Sequence, residues 1–510
     1  MLTESPGIAR ALAIENRRRF TPSYLALAVL FSLEMLAINL ARLPESMSFD
    51  RFAFCDHGAN LTLQYLIANG LRPSLDFGYH YGLLPALIGR IWFALFGATP
   101  WSYQSAMILA GLLGAWAIAK MLSQLKIGAI GVALAIITLG YSFQASYINF
   151  AHAIEAVLLS HALAEQARGS KASALALVSA ATFAKPSMGY VWGLVLVVLI
   201  VRELIGAEFA LRRMIRALTP AAIVVVSLAL VLSLFYGATT LLHTALPIEG
   251  ATAYHSMNYG LLGTGQRFWD PKGLPWTFYL IDVSGFWIAS TLFLFASVLL
   301  QLLSRSAHAV SPQRKEVILT CAILHLAFLI FFFGNQWSWI YYPYLLMVGV
   351  AVAADLGPTP RRIGMMLCVL AVLSWTDIAY WSHRWWQTTK PDAATAGLWA
   401  TADERDEWLS VRALTKDHKA LMLDSMGATE LLFPGFGDPV SLYLTRGLML
   451  SSDINRKLDK LSSAQEVVVP ITIAACTGVP DAPEFRQALK NFDLAWSGKH
   501  FEIFQRRKVP

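Results

Sequence analysis

The sequence has 510 residues, of which 56% are apolar and 14% are charged, whereas soluble proteins have about 25% charged residues. This composition excludes an ordinary water-soluble globular protein. The charges are also uneven, because residues 385–510 contain 15 basic and 16 acidic side chains while long apolar runs fill the chain before them. We therefore predict a polytopic α-helical membrane domain over residues 1–384 and a small water-soluble domain over residues 385–510.

The net charge of +7 does not indicate nucleic-acid binding, because the basic residues lie in short runs between apolar segments. The four cysteines are Cys55, Cys321, Cys368 and Cys476, and they form no C-x-x-C pair and show no metal-ligand spacing. Neither a zinc site nor a dense disulfide framework is expected from them, and the redox compartment stays open.

Apolar runs of about 20 residues predict about eleven transmembrane helices. The first run follows Arg17–Arg19 and is too long for the core of a signal peptide, so we expect an uncleaved helix. The run 83–97 is short, carries Arg90 at its centre and is flanked by glycines, and we predict that it lies at the membrane interface. The predicted spans are 22–41, 103–122, 127–147, 151–166, 172–184, 188–205, 217–236, 277–303, 317–334, 339–356 and 363–382.

Basic residues between these spans define the orientation. With the run 83–97 left out of the spans, they all lie on the side of the N-terminus, which is then cytoplasmic. The loops 42–102 and 237–276 and the domain 385–510 then lie outside the cytoplasmic (inner) membrane. Four acidic residues fall in the outer halves of spans and are expected either in a hydrated cavity or at the headgroups: Glu34, Glu155, Asp282 and Asp377.

The C-terminal region mixes strand-like and helix-like runs. KALMLD, EVVVPITIA and FEIFQ are predicted strands, while DERDEWLSVRALTKD and EFRQALKNF are predicted helices. This mixture predicts a small α/β domain, and none of its runs contains a catalytic motif.

The first outer loop contains the sequence DHGANLTLQYLIANGLRPSLDFGYHYGLLP, in which Asp56 precedes a predicted amphipathic helix that stops at Gly70. A Gly-x-x-Pro-x-x-Asp-Phe stretch follows. This order resembles the first outer loop of the GT-C fold glycosyltransferases, which are integral membrane enzymes. Two further stretches are similar to turns of that superfamily: TFAKP at 182–186 resembles its Thr-Lys-Pro turn, and YYPYLL at 341–346 resembles the aromatic-proline start of a late span.

The resemblance covers most of residues 20–385 and implies a GT-C-like fold. It also implies transfer of a hexosyl or pentosyl group from a polyprenyl-phosphate-linked donor to an envelope glycan, lipid or protein at the outer face of the membrane. The expected partners are therefore membrane lipids, the donor and the acceptor, and no nucleic acid. His57 stands where relatives often have an acidic residue, so the use of a divalent metal stays open, and no other cofactor is predicted.

Four charged residues are candidates for chemistry. In the superfamily the Asp that matches Asp56 is the proposed base of a single inverting displacement, and the alternative from the residues alone is an N-cap. Asp76 is predicted to orient the acceptor, or else to be a turn residue. Lys185 and Arg267 are predicted to bind the donor phosphate. The alternatives are a lysine that extends to the membrane interface and a solvated loop arginine.

Aromatic and histidine side chains on the outer side are predicted to line the substrate site, because aromatic faces stack on sugar rings. Tryptophans at this boundary also fit an aromatic belt, and the histidines match no metal motif. The predicted lining residues are His57, His80, Tyr81, His255, Trp337, Trp339 and Tyr342.

A transporter or flippase of lipid-linked glycans is the alternative function. Such a protein is expected to show paired repeats and interrupted helices around charges in the middle of the membrane. This sequence instead has large outer loops and an additional outer domain, which favours an enzyme.

Overall fold

The computed structural model describes residues 23–146, 149–206, 211–246, 284–303, 311–332, 342–415, 420–424, 426–444, 449–471, 480 and 482–507. Within these ranges the protein is mainly helical, and a helix lies at each of the eleven predicted spans. These helices are Tyr24–Ala41, Pro100–Gln124, Ala129–Ser146, Phe150–Ala167, Lys171–Thr182, Met188–Gly206, Leu211–Tyr236, Ser284–Leu303, Pro312–Phe332, Pro343–Ala353 and Pro358–Thr388.

Five helices of the described ranges are long and apolar enough to cross a membrane. The protein therefore has the character of a helical membrane protein, while membrane crossing by the other helices stays a prediction. The five segments are Tyr24–Ala41, Pro100–Gln124, Met188–Ile205, Leu211–Tyr236 and Phe286–Leu303.

One short helix is fully buried within the bundle. Every residue of Pro343–Ala353 is buried, and this helix contacts both Ala129–Ser146 and Pro312–Phe332. By contrast, Leu211–Tyr236 lies at the outside of the bundle and exposes large apolar side chains such as Leu234. An exposed face of this kind suits the hydrocarbon of a bilayer, where apolar side chains need no protein partner.

Charged residues of the predicted cytoplasmic loops meet at one end of the bundle. Lys120 Nζ lies 3.0 Å from Glu165 Oε1, which joins the C-terminal ends of two helices that run in the same direction. The Arg314 guanidinium lies 3.0 Å from Asp355 Oδ2 and donates to the carbonyl oxygen of Leu125. The predicted topology requires these loops to lie together, and the side of the membrane that they face stays a prediction.

The first predicted outer loop folds into the helices Phe49–Phe54, Asp56–Ala68 and Leu83–Phe96. The second helix stops before Gly70, whose φ of 82° is a conformation that glycine adopts without strain, as the sequence predicts. The third helix has 14 residues and is about 21 Å long, less than the roughly 30 Å of a bilayer core. This length agrees with the predicted interfacial position.

The predicted domain boundary at residue 385 falls inside the helix Pro358–Thr388, so the non-helical chain begins at Thr389. The region after it has a two-stranded sheet of β1 and β2, and a four-stranded sheet in the order β3-β4-β6-β5. The strands β3 and β4 are parallel, and the other pairs are antiparallel. The strands are β1 (Thr389–Pro391), β2 (Trp399–Thr401), β3 (Ala420–Met422), β4 (Glu466–Pro470), β5 (Phe492–Ser497) and β6 (Phe501–Arg506).

Part of this α/β pattern was predictable and part was not. β3, β4 and β6 and the helices Ala402–Leu414 and Pro483–Leu489 lie at the predicted positions. The sequence did not predict β1, β2, β5 or the helix Ser451–Ser463, which follows β3 and precedes its parallel neighbour β4. A helix between parallel strands is the usual crossover connection.

The C-terminal region packs directly on the first outer loop. The buried ring of Trp408 lies 5.5 Å from the ring of Phe49, between centroids, and the amide of Ala428 donates to the carbonyl of Phe52 (3.1 Å). A Cβ atom at Gly58 would lie 1.7 Å from the Phe52 oxygen, so glycine is required for this close approach. The two parts share a core, which agrees with their predicted position on one side of the membrane.

Candidate functional site

Asp56 is the first residue of the helix Asp56–Ala68. The N-cap is Cys55, with φ −146° and ψ −168°, and no side chain makes a capping hydrogen bond there. The alternative prediction that Asp56 is an N-cap is therefore wrong. The carboxylate lies in the first turn, where the helix dipole favours negative charge, and no described residue donates a hydrogen bond to it. Its oxygens are therefore open to a proton or a ligand.

The surroundings of Asp56 hold its titration near neutral pH. Burial raises the pKa of Asp56 to about 6, against the lowering effect of nearby Arg51. Arg51 is itself bound to Glu45, with 2.6 Å between Nη2 and Oε1. Burial raises the pKa of Glu45, but the charges of Arg42 and Arg51 outweigh burial and lower this pKa to about 2. The charge of Arg51 is thus largely neutralised by Glu45, and Asp56 has the pKa that suits a general base.

His57 packs inside the loop beside Asp56. Its Nδ1 lies 3.0 Å from the carbonyl oxygen of Ser46, so Nδ1 carries the proton. The imidazole contacts the rings of Phe52 and Tyr103, each at 5.3 Å between centroids. Burial, with help from Arg51, lowers the pKa of His57 to about 3, which keeps the ring neutral. His57 thus supports the loop from within, and direct contact with a substrate stays a prediction.

Asp76 is fixed in a turn. Its carboxylate accepts from Arg72 Nε (2.9 Å) and Nη2 (3.1 Å), and also from the Arg72 backbone amide (2.8 Å). Hydrogen bonding to Arg72 lowers the pKa of Asp76. The Ser452 hydroxyl donates to the Asp76 carbonyl (2.9 Å), which ties the turn to the C-terminal region. These contacts support the turn alternative rather than a role in orienting the acceptor.

Lys185 is buried within a polar cluster at the end of the bundle near the first outer loop. Lys185 is only 3% exposed, so the alternative that its side chain extends to the membrane interface is wrong. Nζ lies 3.3 Å from His152 Nδ1 and 5.1 Å from the centroid of the Tyr342 ring. The ring of Tyr81 packs edge-on against His152 at 5.7 Å. The structure thus brings three predicted site residues together: Lys185, Tyr81 and Tyr342.

Glu155 completes this cluster. It accepts a hydrogen bond from the Tyr342 hydroxyl (2.9 Å) and one from the Ser187 hydroxyl (3.3 Å), and it is 1% exposed. Its burial among protein groups excludes the headgroup alternative. The opposite charges of Glu155 and Lys185 interact within the cluster, so the two charges largely compensate each other.

A small cavity lies between the helix Asp56–Ala68 and the start of the helix Phe150–Ala167. Its polar wall includes Asn60, one helical turn after Asp56. The C-terminal region also contributes to the lining, which consists of Ala59, Asn60, Leu63, Tyr79, Tyr81, Pro85, Asn149, Ala151, Leu442 and Tyr443. Tyr81 therefore joins the cavity to the Lys185 cluster, while Asn60 joins it to Asp56.

Several predicted site residues are placed elsewhere or are not described. His80 is half-buried in the segment between Tyr79 and Tyr81. Four predicted residues lie outside the described residues, and their roles stay predictions: Arg267, His255, Trp337 and Trp339. Within the described ranges, no group of three or more His, Cys, Asp and Glu side chains is arranged to hold a metal ion.

Sequence analysis missed two polar features. Asn149 lines the cavity, and an Asn before an apolar run is an N-cap signal that could have drawn attention to it. A buried lysine in the C-terminal region, Lys457, binds Glu430 Oε1 (2.6 Å) and lies 4.0 Å from Asp424 Oδ1. Burial, reinforced by Glu430, raises the pKa of Asp424 to about 8. Lys457 lies 27 positions after Glu430, and no local pattern marks the group.

Comparison with known protein families finds no family model that matches the chain, and comparison with curated proteins finds no similar sequence. The resemblance to the GT-C fold enzymes therefore rests on the motifs of the first outer loop and of the two turns.

Proposed function

We propose that the protein is a GT-C type glycosyltransferase. It moves a hexosyl or pentosyl group from a polyprenyl-phosphate-linked donor to an envelope acceptor at the outer face of the cytoplasmic membrane. The observation that carries the proposal is the state of Asp56. Its carboxylate begins a helix beside a polar cavity, receives no hydrogen bond from a described residue and has a pKa of about 6. A base with this pKa is ionised at neutral pH and still accepts a proton readily.

The proposed reaction is a single displacement. Asp56 takes the proton of an acceptor hydroxyl while the hydroxyl oxygen attacks the anomeric carbon of the donor sugar. The bond from that carbon to the phosphate oxygen breaks, and the polyprenyl phosphate leaves with the electron pair. Attack on the face opposite the leaving group inverts the anomeric configuration.

The leaving phosphate needs positive charge nearby. We assign this task to Lys185 and Arg267. A buried ammonium interacts more strongly with an anion than an exposed one does, because the local dielectric constant is lower. Without a donor, the negative charge of Glu155 balances the positive charge of Lys185. A bound donor phosphate would compete with Glu155 for the Lys185 ammonium group. His57, His80, Tyr81, His255, Trp337, Trp339 and Tyr342 are the proposed lining residues.

The proposal includes eleven membrane spans with a cytoplasmic N-terminus. Two contacts support it. Loops with predicted cytoplasmic positions are joined by ion pairs such as Arg314 with Asp355 at one end of the bundle. At the other end, the first outer loop and the C-terminal region share a core around Trp408. Two parts in contact must lie on the same side of the membrane. The number of spans between them must therefore be even, as it is in the proposed topology.

A transporter or flippase of lipid-linked glycans is the second candidate function. The observation that favours it is the buried cluster of Lys185, Glu155 and His152 within the helix bundle, since ionisable groups inside membrane proteins often mark a transport pathway. The extended contact between the outer loop and the C-terminal region favours the enzyme, because alternating access requires one part of the bundle to move against another.

Purified protein in lipid vesicles separates the two functions. Wild-type protein is given a panel of polyprenyl-phosphate sugars and glycan acceptors, and both covalent transfer and movement of unmodified lipid across the bilayer are measured. We expect transfer, and a rate for Asp56→Asn that is about 100-fold to 10,000-fold lower. Asn keeps the size of the side chain but accepts no proton from the acceptor.

Two controls complete this experiment. Asp459→Asn removes an exposed carboxylate from the helix Ser451–Ser463 of the C-terminal region and is expected to transfer sugar at the wild-type rate. The thermal midpoint of Asp56→Asn shows whether the variant is folded. Near-normal turnover by folded Asp56→Asn contradicts the proposed base, and lipid movement without transfer by wild type favours the transporter.

A further inference from the structure

The cavity beside Tyr81 contains a buried amide whose hydrogen-bonding capacity is only partly used. Asn149 is the N-cap of the helix Phe150–Ala167, and its Oδ1 accepts from the backbone amide of His152 (3.2 Å). The residue is 4% exposed, and Nδ2 has no hydrogen-bond acceptor among the described residues. The amide cannot be turned over, because the His152 amide needs an acceptor at the position of Oδ1.

Such a donor is an exception in a folded protein. Nearly all buried polar groups have a hydrogen-bond partner, and an unpaired one costs stability. Asp or Ser at this position could cap the helix equally well, and neither has an amide donor. The Nδ2 group is therefore not explained by the helix cap, and a ligand of the cavity would explain it.

The other polar groups of the cavity wall are already engaged. Asn60 Nδ2 donates to the carbonyl oxygen of Asp56 (2.8 Å), and its Oδ1 accepts from the amide of Phe150 (3.3 Å). The Tyr79 hydroxyl donates to the carbonyl of Gly82 (2.9 Å). These hydrogen bonds fix the orientation of Asn60 and Tyr79. The cavity therefore has a defined shape before a ligand binds.

The size of the cavity limits what that partner is. Its volume is about 10 Å³, which is room for one water molecule or one hydroxyl group and not for a sugar ring. The ring that carries the hydroxyl would lie outside the cavity, whose wall includes the aromatic side chains of Tyr81 and Tyr443. Aromatic side chains and amides are suitable neighbours for a sugar.

The position of the cavity relates it to the proposed base. Asn60 lines the cavity and stands four residues after Asp56 on one helix. Residues four apart lie on the same face, with about 6 Å between their Cβ atoms. One sugar ring can span this distance, so a ring with one hydroxyl in the cavity can present another hydroxyl near Asp56.

We propose that the cavity binds one hydroxyl group of a glycan acceptor, and that Asn149 Nδ2 donates a hydrogen bond to that hydroxyl oxygen. This inference rests on the proposed function and narrows the acceptor to a sugar. Tyr443 belongs to the C-terminal region, which therefore takes part in selecting the acceptor. A site that hydrogen-bonds a hydroxyl rejects an analogue without it, because its own polar group is left unpaired.

The test compares wild type with Asn149→Asp. Aspartate keeps the capping oxygen and the size of the side chain but removes the Nδ2 donor. The probes are methyl glycosides of hexoses and pentoses with their single-deoxy analogues, and binding to the full chain in lipid nanodiscs is measured by calorimetry and saturation-transfer NMR. We expect wild type to bind one parent glycoside at least about tenfold more tightly than one of its deoxy analogues. Asn149→Asp should bind that parent as weakly as the deoxy compound, with no further loss on the deoxy compound.

Two further variants keep the result interpretable. Asn149→Ser also keeps a capping oxygen and lacks the donor, so it should reproduce Asn149→Asp if the latter folds poorly. Asn69→Asp makes the same chemical change at an exposed position after the helix Asp56–Ala68 and should bind like wild type.

Each remaining outcome overturns one proposal. If wild type binds none of the glycosides, or if both Asn149 variants keep its selectivity, the cavity holds a water molecule only and the inference fails. If wild type binds with the expected selectivity but transfers no sugar from any donor, the cavity site stands and the glycosyltransferase proposal fails. Sugar transfer by Asn149→Asp with unchanged acceptor selectivity removes the cavity site and leaves the enzyme.

Discussion

Two carboxylates, one at each end of the helix bundle, have opposite surroundings. Asp355 follows the buried helix Pro343–Ala353 and lies 3.0 Å from Arg314 and 3.8 Å from Arg361. Asp56 lies in the first outer loop, and the nearest arginine, Arg51, is already bound by another carboxylate. Asp355 is buried and Asp56 is half-buried, and only Asp355 is compensated by a direct ion pair.

The difference shows which end of the molecule is built for stability. Removing a buried carboxylate from its arginine partners leaves an uncompensated charge and is costly, so Asp355 is needed to keep its loops joined. A half-buried carboxylate without such a partner destabilises the protein at neutral pH. Residues with shifted pKa values of this kind are common at functional sites, where the gain in function offsets the lost stability. Substitutions of the two residues should therefore have effects of opposite sign.

The largest effect on stability is expected for Asp355→Asn. Loss of the carboxylate leaves Arg314 without its charged partner, and breaking a buried pair typically costs 3–5 kcal/mol. Arg314 keeps its hydrogen bonds to the carbonyl oxygens of Leu125 and Lys126, so we expect the lower end, about 3 kcal/mol of unfolding free energy. Chemical denaturation of the protein in detergent micelles measures this loss.

The control for that variant is Asp406→Asn, which changes an exposed carboxylate in the helix Ala402–Leu414 and should leave the midpoint unchanged. Sugar transfer at saturating substrate by the folded fraction of Asp355→Asn should match wild type. An unchanged midpoint for Asp355→Asn would show that the ion pairs of Asp355 contribute nothing to stability. The proposed contrast between Asp355 and Asp56 would then be wrong.

An opposite and smaller effect is expected for Asp56→Asn. The folded-state pKa of Asp56 is about 6, above its ordinary value of 3.8. The native state therefore binds a proton more tightly than the unfolded chain, and wild type loses stability as pH rises from about 4 to about 6. Since the side chain is partly accessible, we expect a loss of about 1–2 kcal/mol rather than the full linkage value.

Asp56→Asn lacks this titration, so it should be more stable than wild type at pH 7.5 and nearly equal to it at pH 4. Thermal midpoints of both proteins between pH 4 and pH 8 test this point. The transfer rate of wild type should fall below about pH 6, where Asp56 becomes protonated. Parallel stability curves for the two proteins would place Asp56 in an ordinary solvated environment, which argues against a special role.

The helices of this molecule were largely predictable because burial in a bilayer or a bundle is encoded in local composition. A helix lies at each predicted span, and the stop at Gly70 follows from the conformational freedom of glycine. The strands β1, β2 and β5 were missed, since none of them contains a run of β-branched residues such as the one that marks β4. Each is held in place by pairing with a strand, β1 with β2 and β5 with β6.

The candidate site was only partly predictable for the same physical reason. Asp56 and Lys185 were found from motifs, but the burial of Lys185 depends on His152 and Tyr342, which lie 33 and 157 positions away in sequence. Asp56 was expected with equal reason to cap its helix, and the backbone at Cys55 decides against that. Sequence patterns report which residues are suitable for chemistry, whereas tertiary packing determines which of them meet.

The smallest effect is expected for Asp76→Asn. Both oxygens of the Asp76 carboxylate are engaged by Arg72, so this carboxylate is not available to orient an acceptor hydroxyl. The Arg72 side chain is 60% exposed and that of Asp76 is 26% exposed, and ion pairs at the protein surface contribute little to stability. Asparagine is also a favoured turn residue and keeps one acceptor oxygen for the Arg72 amide. We therefore expect transfer within about fivefold of the wild-type rate, measured in the vesicle assay beside Asp56→Asn. A decrease as large as that of Asp56→Asn would contradict the turn interpretation and would require both carboxylates of the first outer loop in the reaction.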